Sequence, residues 1–88
     1  MAERTVQVEN EAGIHARPAA EIVKLASKFK SEIVIVRDDL EVNAKSIMGV
    51  MMLAAECGAT ITLRATGDDA EAALDALCAV IANKFGES

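Results

Sequence analysis

The hydrophobic period of this chain switches repeatedly between two and 3.6 residues, the pattern of a sheet covered by amphipathic helices. Val6 and Val8 alternate with Thr5, Gln7 and Glu9, as in a half-buried strand, until Asn10 to Gly13 break the rhythm. From Ala16 to Phe29 the apolar positions Ala19, Ile22, Val23, Ala26 and Phe29 recur at helical spacing, with Glu21, Lys24 and Lys28 between them. Pro18 falls in the first turn of this helix, where a missing N–H costs little, so the helix is expected to begin at His15 or Ala16. Glu32 to Arg37 is apolar and β-branched, Asp38-Asp39 makes a turn, and Leu40 to Asn43 returns antiparallel. Ser46 caps a second helix expected to run through Cys57 and stop at Gly58. Ala59 to Thr66 alternates again, Gly67-Asp68 turns, and a last helix is expected from about Asp69 to Phe85 with Leu74, Leu77, Cys78, Ile81 and Phe85 on one side. The order is β-α-β-β-α-β-α. The expected fold is α+β, a two-layer open-faced sandwich in which a four-stranded antiparallel sheet is covered on one face by three helices. At 88 residues this is one domain, 1–88, since autonomous domains rarely fall below about 50 residues.

Composition removes several functions. Nine basic against fourteen acidic residues give a net charge of −5, whereas a binder of phosphate backbones needs a basic footprint. With no Trp or Tyr and only Phe29 and Phe85 as aromatics, base stacking is poorly supplied too, so nucleic acid is not an expected partner. No apolar run approaches the roughly 18 residues of a membrane span. One histidine and two separated cysteines do not make a metal site, and neither Cys57 nor Cys78 is in CxxC spacing; both are expected to fill helix faces toward the core. The opening Met1-Ala2-Glu3-Arg4 is not the start of a leader, and a cytoplasmic location is expected. Asp68 and Asp69 read as a turn and helix start rather than a catalytic pair.

The sole histidine is the position that can carry chemistry. It stands in Gly13-Ile14-His15-Ala16-Arg17-Pro18-Ala19, at a helix start and just after a glycine that permits an unusual turn. Free amides and partial positive charge at a helix N-terminus would hold an anion on His15 through the backbone of Ala16 and Arg17, with the Arg17 guanidinium nearby. Imidazole is a nucleophile at neutral pH, and a phosphoryl group is the natural anion for it to carry. On the residues alone, a bland reading in which His15 only caps the helix stands level with this one.

The stretch from Gly13 to Ala20, Gly-Ile-His-Ala-Arg-Pro-Ala-Ala, closely resembles the active-site segment of the HPr family, the phosphocarrier proteins of the bacterial phosphoenolpyruvate-dependent phosphotransferase system. Asn43-Ala44-Lys45-Ser46-Ile47-Met48-Gly49-Val50 resembles that family's regulatory-serine segment at the matching distance. The resemblance spans the whole chain. It implies that His15 accepts a phosphoryl group on Nδ1 from phosphorylated enzyme I and passes it to IIA domains, with Arg17 steadying the phosphate. It further implies that Ser46 is a phosphorylation site in species having the cognate HPr kinase/phosphorylase, which would add transcriptional regulators to the partners. No cofactor is implied, and the chain would be a carrier with a phosphohistidine intermediate rather than a stand-alone enzyme. Ser46 also has a structural role as helix N-cap, worth about 0.5–2 kcal/mol.

Helical spacing puts Val50, Leu53, Ala54 and Cys57 on one side of the second helix and Ile47, Met48, Met51 and Met52 mostly on another. Only one side can face a single sheet. The Ile/Met side is therefore expected to be a docking surface, framed by Lys24, Lys28 and Lys45 with Arg17, because methionine repacks easily against several partners. A monomer is expected. The alternative function is a regulatory protein-binding module of the nitrogen-related branch of the same system.

Overall fold

The computed structural model describes residues 1–87; Ser88, the last residue of the expected domain, lies outside the described residues. Its elements are β1 (Ala2–Gln7), α1 (Ala16–Ala26), β2 (Glu32–Arg37), β3 (Leu40–Asn43), α2 (Ile47–Met52), β4 (Thr60–Thr66) and α3 (Ala70–Ala82), then a 3-10 turn at Lys84–Gly86. The strands form one antiparallel sheet in the order β1-β4-β2-β3. The expected open-faced sandwich is the architecture observed.

Parity explains the layering. In β4, which pairs on both sides, Ile61, Leu63 and Ala65 are buried under the helices while Thr62 and Arg64 face the other way. Ile33 and Ile35 of β2 lie opposite Ala65 and Leu63, and Val42 of β3 lies opposite Ile35, so the inward rows meet in register. Ala19, Ile22 and Ala26 of α1, Val50 of α2 and Leu74, Leu77 and Ile81 of α3 close the core from above. Burying each such Leu or Ile side chain contributes about 1.5–3 kcal/mol. Arg4 shares the inward parity of Ala2 and Val6, but from the edge strand it reaches α3, donating to Glu71 at 2.7 Å and Asp75 at 3.2 Å.

Three helix ends differ from the expected ones. α1 stops at Ala26 rather than Phe29, because Lys28 and Phe29 close tighter turns onto Leu25 and Ala26; Phe29 still packs against the core. α2 stops at Met52 rather than Cys57, because Ala54 adopts a left-handed backbone (φ 47) that no helix continues through. Consequently Ala54 and Cys57 are exposed instead of core-facing, while Leu53 and Ala55 are buried. Cys78 is half-buried against the core, and burial pushes its thiol pKa up. α3 stops at Ala82, after which Lys84 and Phe85 (φ 56 each) turn the chain back and seat the Phe85 ring in the core.

Asp69 opens α3 yet caps nothing in its own helix. Its carboxylate accepts the Lys30 amide (2.8 Å), the Ser31 amide (2.9 Å) and the Ser31 hydroxyl, pinning the α1–β2 connection to the start of α3. Gly67 makes room for this clasp, since a Cβ there would lie 2.5 Å from Ser31 Oγ. The Ser31 hydroxyl first, and then the Lys30 amide, hold the Asp69 carboxyl below its ordinary value of 3.8. A folded pKa lower than the unfolded one gives stability that is present above the unfolded value and lost as pH falls through the folded one. Asp69→Asn is therefore expected to lower the melting temperature at neutral pH and to flatten its decline below about pH 4. Thermal melts across that range check this, and an unaltered acid limb would exclude the clasp as its source.

Candidate functional site

The connection from β1 to α1 builds the site. Gly13 donates to Asn10 O at 3.0 Å and takes φ +70, a conformation open to glycine at no steric cost. Ile14 is buried and donates to Ala55 O at 2.8 Å, which fixes the backbone one residue before the histidine. His15 is extended (φ −91, ψ −166) at the N-cap of α1, and its carbonyl accepts the Ala19 amide at 3.0 Å, the first bond of the helix. The Ala16 and Arg17 amides that follow have no carbonyl four residues back in the helix to pair with, and Pro18 has no amide at all. His15 occupies the N-cap, but its ring makes no capping hydrogen bond.

The ring turns instead to a residue at the other end of the chain. His15 Nε2 lies 3.2 Å from Glu87 Oε1, which also accepts Asn10 Nδ2 at 2.8 Å; the same Asn10 amide donates to Gly13 O at 2.7 Å. Arg17 is loosely paired, 3.8 Å from Glu87 Oε2 and 3.9 Å from Glu21 Oε1. A carboxylate at Nε2 selects the tautomer with its proton there and leaves the lone pair on Nδ1. Nδ1 has no hydrogen-bond partner among the described residues. The hydrogen bonds from Asn10, then His15, hold the Glu87 carboxyl below its ordinary value of 4.5.

Sequence reasoning missed Glu87 and Asn10. Glu87 is 72 positions from His15 and arrives only because the left-handed turn at Lys84 and Phe85 swings the chain end back. Asn10 carries no signal of its role in the sequence; that role shows only in its complete burial, with Nδ2 paired and Oδ1 without a partner among the described residues.

The expected docking residues lie largely where their spacing puts them. Met48 (71% exposed), Met52 (64%), Ile47 and Met51 (43% each) form an apolar exposed side of α2, which packs against α1. Lys24 is exposed on the stripe of α1 that also carries Arg17, and Lys28 is exposed in the turn that follows the helix. Lys45 stands apart from them: its ammonium donates to Phe29 O at 2.8 Å, in the connection from α1 to β2. Ser46 Oγ accepts the Gly49 amide at 3.1 Å as N-cap of α2. Among the described residues no group of three His, Cys, Asp or Glu side chains is placed to hold a metal ion, and no helix is long and apolar enough to cross a membrane.

Fold and site together define a small open-faced sandwich that presents one exposed imidazole at a helix N-terminus. Comparison with known proteins agrees with that class. The family model for the PTS HPr component phosphorylation site matches residues 2–83. Phosphocarrier protein HPr of Treponema pallidum is 55% identical over 87 residues, covering 99% of each chain. Phosphocarrier protein NPr of Shewanella violacea is 46% identical over 86 residues, 98% of this chain and 94% of that one. The crystal structure of an HPr from Thermoanaerobacter tengcongensis superposes with a TM-score of 0.96 at 50% identity, covering 100% of this chain and 99% of the other. The chain belongs to the HPr family, the phosphocarrier proteins of the phosphotransferase system.

Proposed function

We propose that His15 is the residue that carries the phosphoryl group, taking it from phosphorylated enzyme I and delivering it to a IIA domain. The observation that carries this reading is the asymmetry of a ring standing at the N-cap of α1: Nε2 is held by Glu87, while Nδ1 has no hydrogen-bond partner among the described residues. The Nδ1 lone pair attacks phosphorus, a nitrogen–phosphorus bond forms, and the bond to the donor breaks with its electron pair leaving on the donor. Delivery is the same displacement with the acceptor as nucleophile. The transferred group brings negative charge, which the Ala16 and Arg17 amides and the positive end of the helix favour. Arg17, 63% exposed and held only by long ion pairs, gives up little by turning to the phosphoryl oxygens.

Docking in this reading uses Ile47, Met48, Met51 and Met52 with Lys24 and Lys28 at the margin, while Lys45 acts through the fold. A phosphate on Ser46 would sit at the favourable end of α2 and leave the helix intact, yet place about −1.5 to −2 charges at the foot of that apolar surface. Regulation at Ser46 then works by hindering docking. The reading needs one copy of the chain, a cytoplasmic setting and no cofactor.

A single assay tests these roles: the rate of phosphoryl uptake from purified enzyme I and phosphoenolpyruvate, followed by intact mass. Arg17→Ala is expected to slow uptake by about 100- to 1,000-fold, the scale of losing one charge-stabilising donor. Ser46→Asp should raise KM for the chain as substrate while the rate at saturation holds. Wild-type uptake as slow as that of either variant would overturn the assignment. The likeness to an NPr keeps the nitrogen-related branch as a second reading, and running the assay with sugar-type and nitrogen-type enzyme I assigns the branch by which donor is faster.

A further inference from the structure

We infer that Arg37, at the end of β2, is a positioning residue for His15, acting through the loop on which Gly13 and Ile14 rest; this builds on the carrier reading above. The Arg37 guanidinium donates to Leu53 O at 3.0 Å, Ala54 O at 2.7 Å and Glu56 Oε1 at 2.5 Å. It therefore gathers two backbone carbonyls and one carboxylate of the segment between α2 and β4. That segment needs gathering, because Ala54 holds a left-handed conformation (φ 47) that an alanine adopts only at a cost. The planar guanidinium fork suits the task, being able to serve several oxygens at once.

What the clamp holds lies directly against the site. Ala55, next to the clamped Ala54, supplies the carbonyl that accepts the Ile14 amide at 2.8 Å. The approach is close enough that a Cβ on Gly13 would fall 2.5 Å from Ala55 O and 2.9 Å from Glu56 Cα. Arg37, the 53–56 loop, Ile14 and His15 thus form a continuous chain of contacts. The exposed residues of α2 precede the clamped carbonyls in the helix, so they are not what Arg37 holds. Losing the clamp should let the loop relax and shift the histidine relative to the amides of α1, and displacements of about an ångström cost up to roughly 10²-fold in rate.

The test uses the full chain. In Arg37→Ala, hydrogen exchange of the Ile14 amide is expected to accelerate about tenfold. Phosphoryl uptake at saturating donor should slow about tenfold with KM unchanged. Adding Ala54→Gly should restore both, because glycine takes the left-handed conformation without being held there. A structural role alone would lower the melting temperature and leave exchange at Ile14, the rate at saturation and the rescue unmoved; that result would overturn the inference. Failure of Ala54→Gly to rescue would do so too. Should Arg37→Ala not fold, Arg37→Lys, whose single nitrogen cannot span the sites that Nη1 and Nη2 reach separately, is expected to show both changes at smaller size. If the wild-type chain takes up no phosphoryl group, the carrier reading fails, while Ile14 exchange and its rescue still decide whether Arg37 holds the site.

Discussion

His15→Ala is expected to leave the protein folded and wholly unable to take up a phosphoryl group from phosphorylated enzyme I, where the parent chain gains a single acid-labile increment of mass. The two halves of this prediction have separate reasons. The ring is 43% exposed and makes no capping bond, so its removal opens no cavity and orphans no helix amide. Substitutions of that kind usually stay within about 0.5 kcal/mol. The chemistry, by contrast, has no substitute, because the chain contains one histidine and the donors around it stabilise an anion without supplying a nucleophile. Intact mass before and after acid treatment, with circular dichroism on the same sample, checks both halves. A persisting increment in the variant would move the site elsewhere.

Gly13→Ala should cause the largest loss of stability of any single methyl addition near the site. An alanine at φ +70 costs about 1–2 kcal/mol relative to glycine. The added carbon would also fall 2.5 Å from Ala55 O and 2.9 Å from Glu56 Cα, both backbone atoms that cannot swing aside. Forcing that approach costs about a further 1–3 kcal/mol, giving about 2–5 kcal/mol in total. Against the 5–15 kcal/mol typical of domains, the urea midpoint should fall markedly. Phosphoryl uptake should slow as well, since the displaced pair is the one that bonds Ile14 to the 53–56 loop. A urea midpoint unchanged within error would contradict the close approach.

The sheet was legible because its signals are local. Strict alternation in β4 and the Asp38-Asp39 turn between two short apolar runs specify pairing without knowledge of distant residues. Ser46 was legible for the same reason, its hydroxyl closing onto an amide three residues away. The early end of α2 was not. Leu53, Ala54, Ala55 and Glu56 are good helix formers, and nothing among them asks for a left-handed residue. The break coincides with contacts from Arg37 and Ile14, which no window over residues 47–58 contains. At the site, His15, Ala16 and Arg17 could be read from one short segment, whereas Glu87 depends on two left-handed residues at the far end of the chain. The hydrogen bond from Lys45 to Phe29 O, 16 positions away, likewise lies beyond any local window.

Phosphoryl transfer through His15 requires phosphorus on one particular ring atom, Nδ1. Wild-type protein labelled with nitrogen-15 in its imidazole and phosphorylated by enzyme I and phosphoenolpyruvate should show one phosphorus-31 resonance, coupled to Nδ1 of His15, with Nε2 still protonated. Phosphorus bonded to Nε2, or to any residue other than His15, would contradict it.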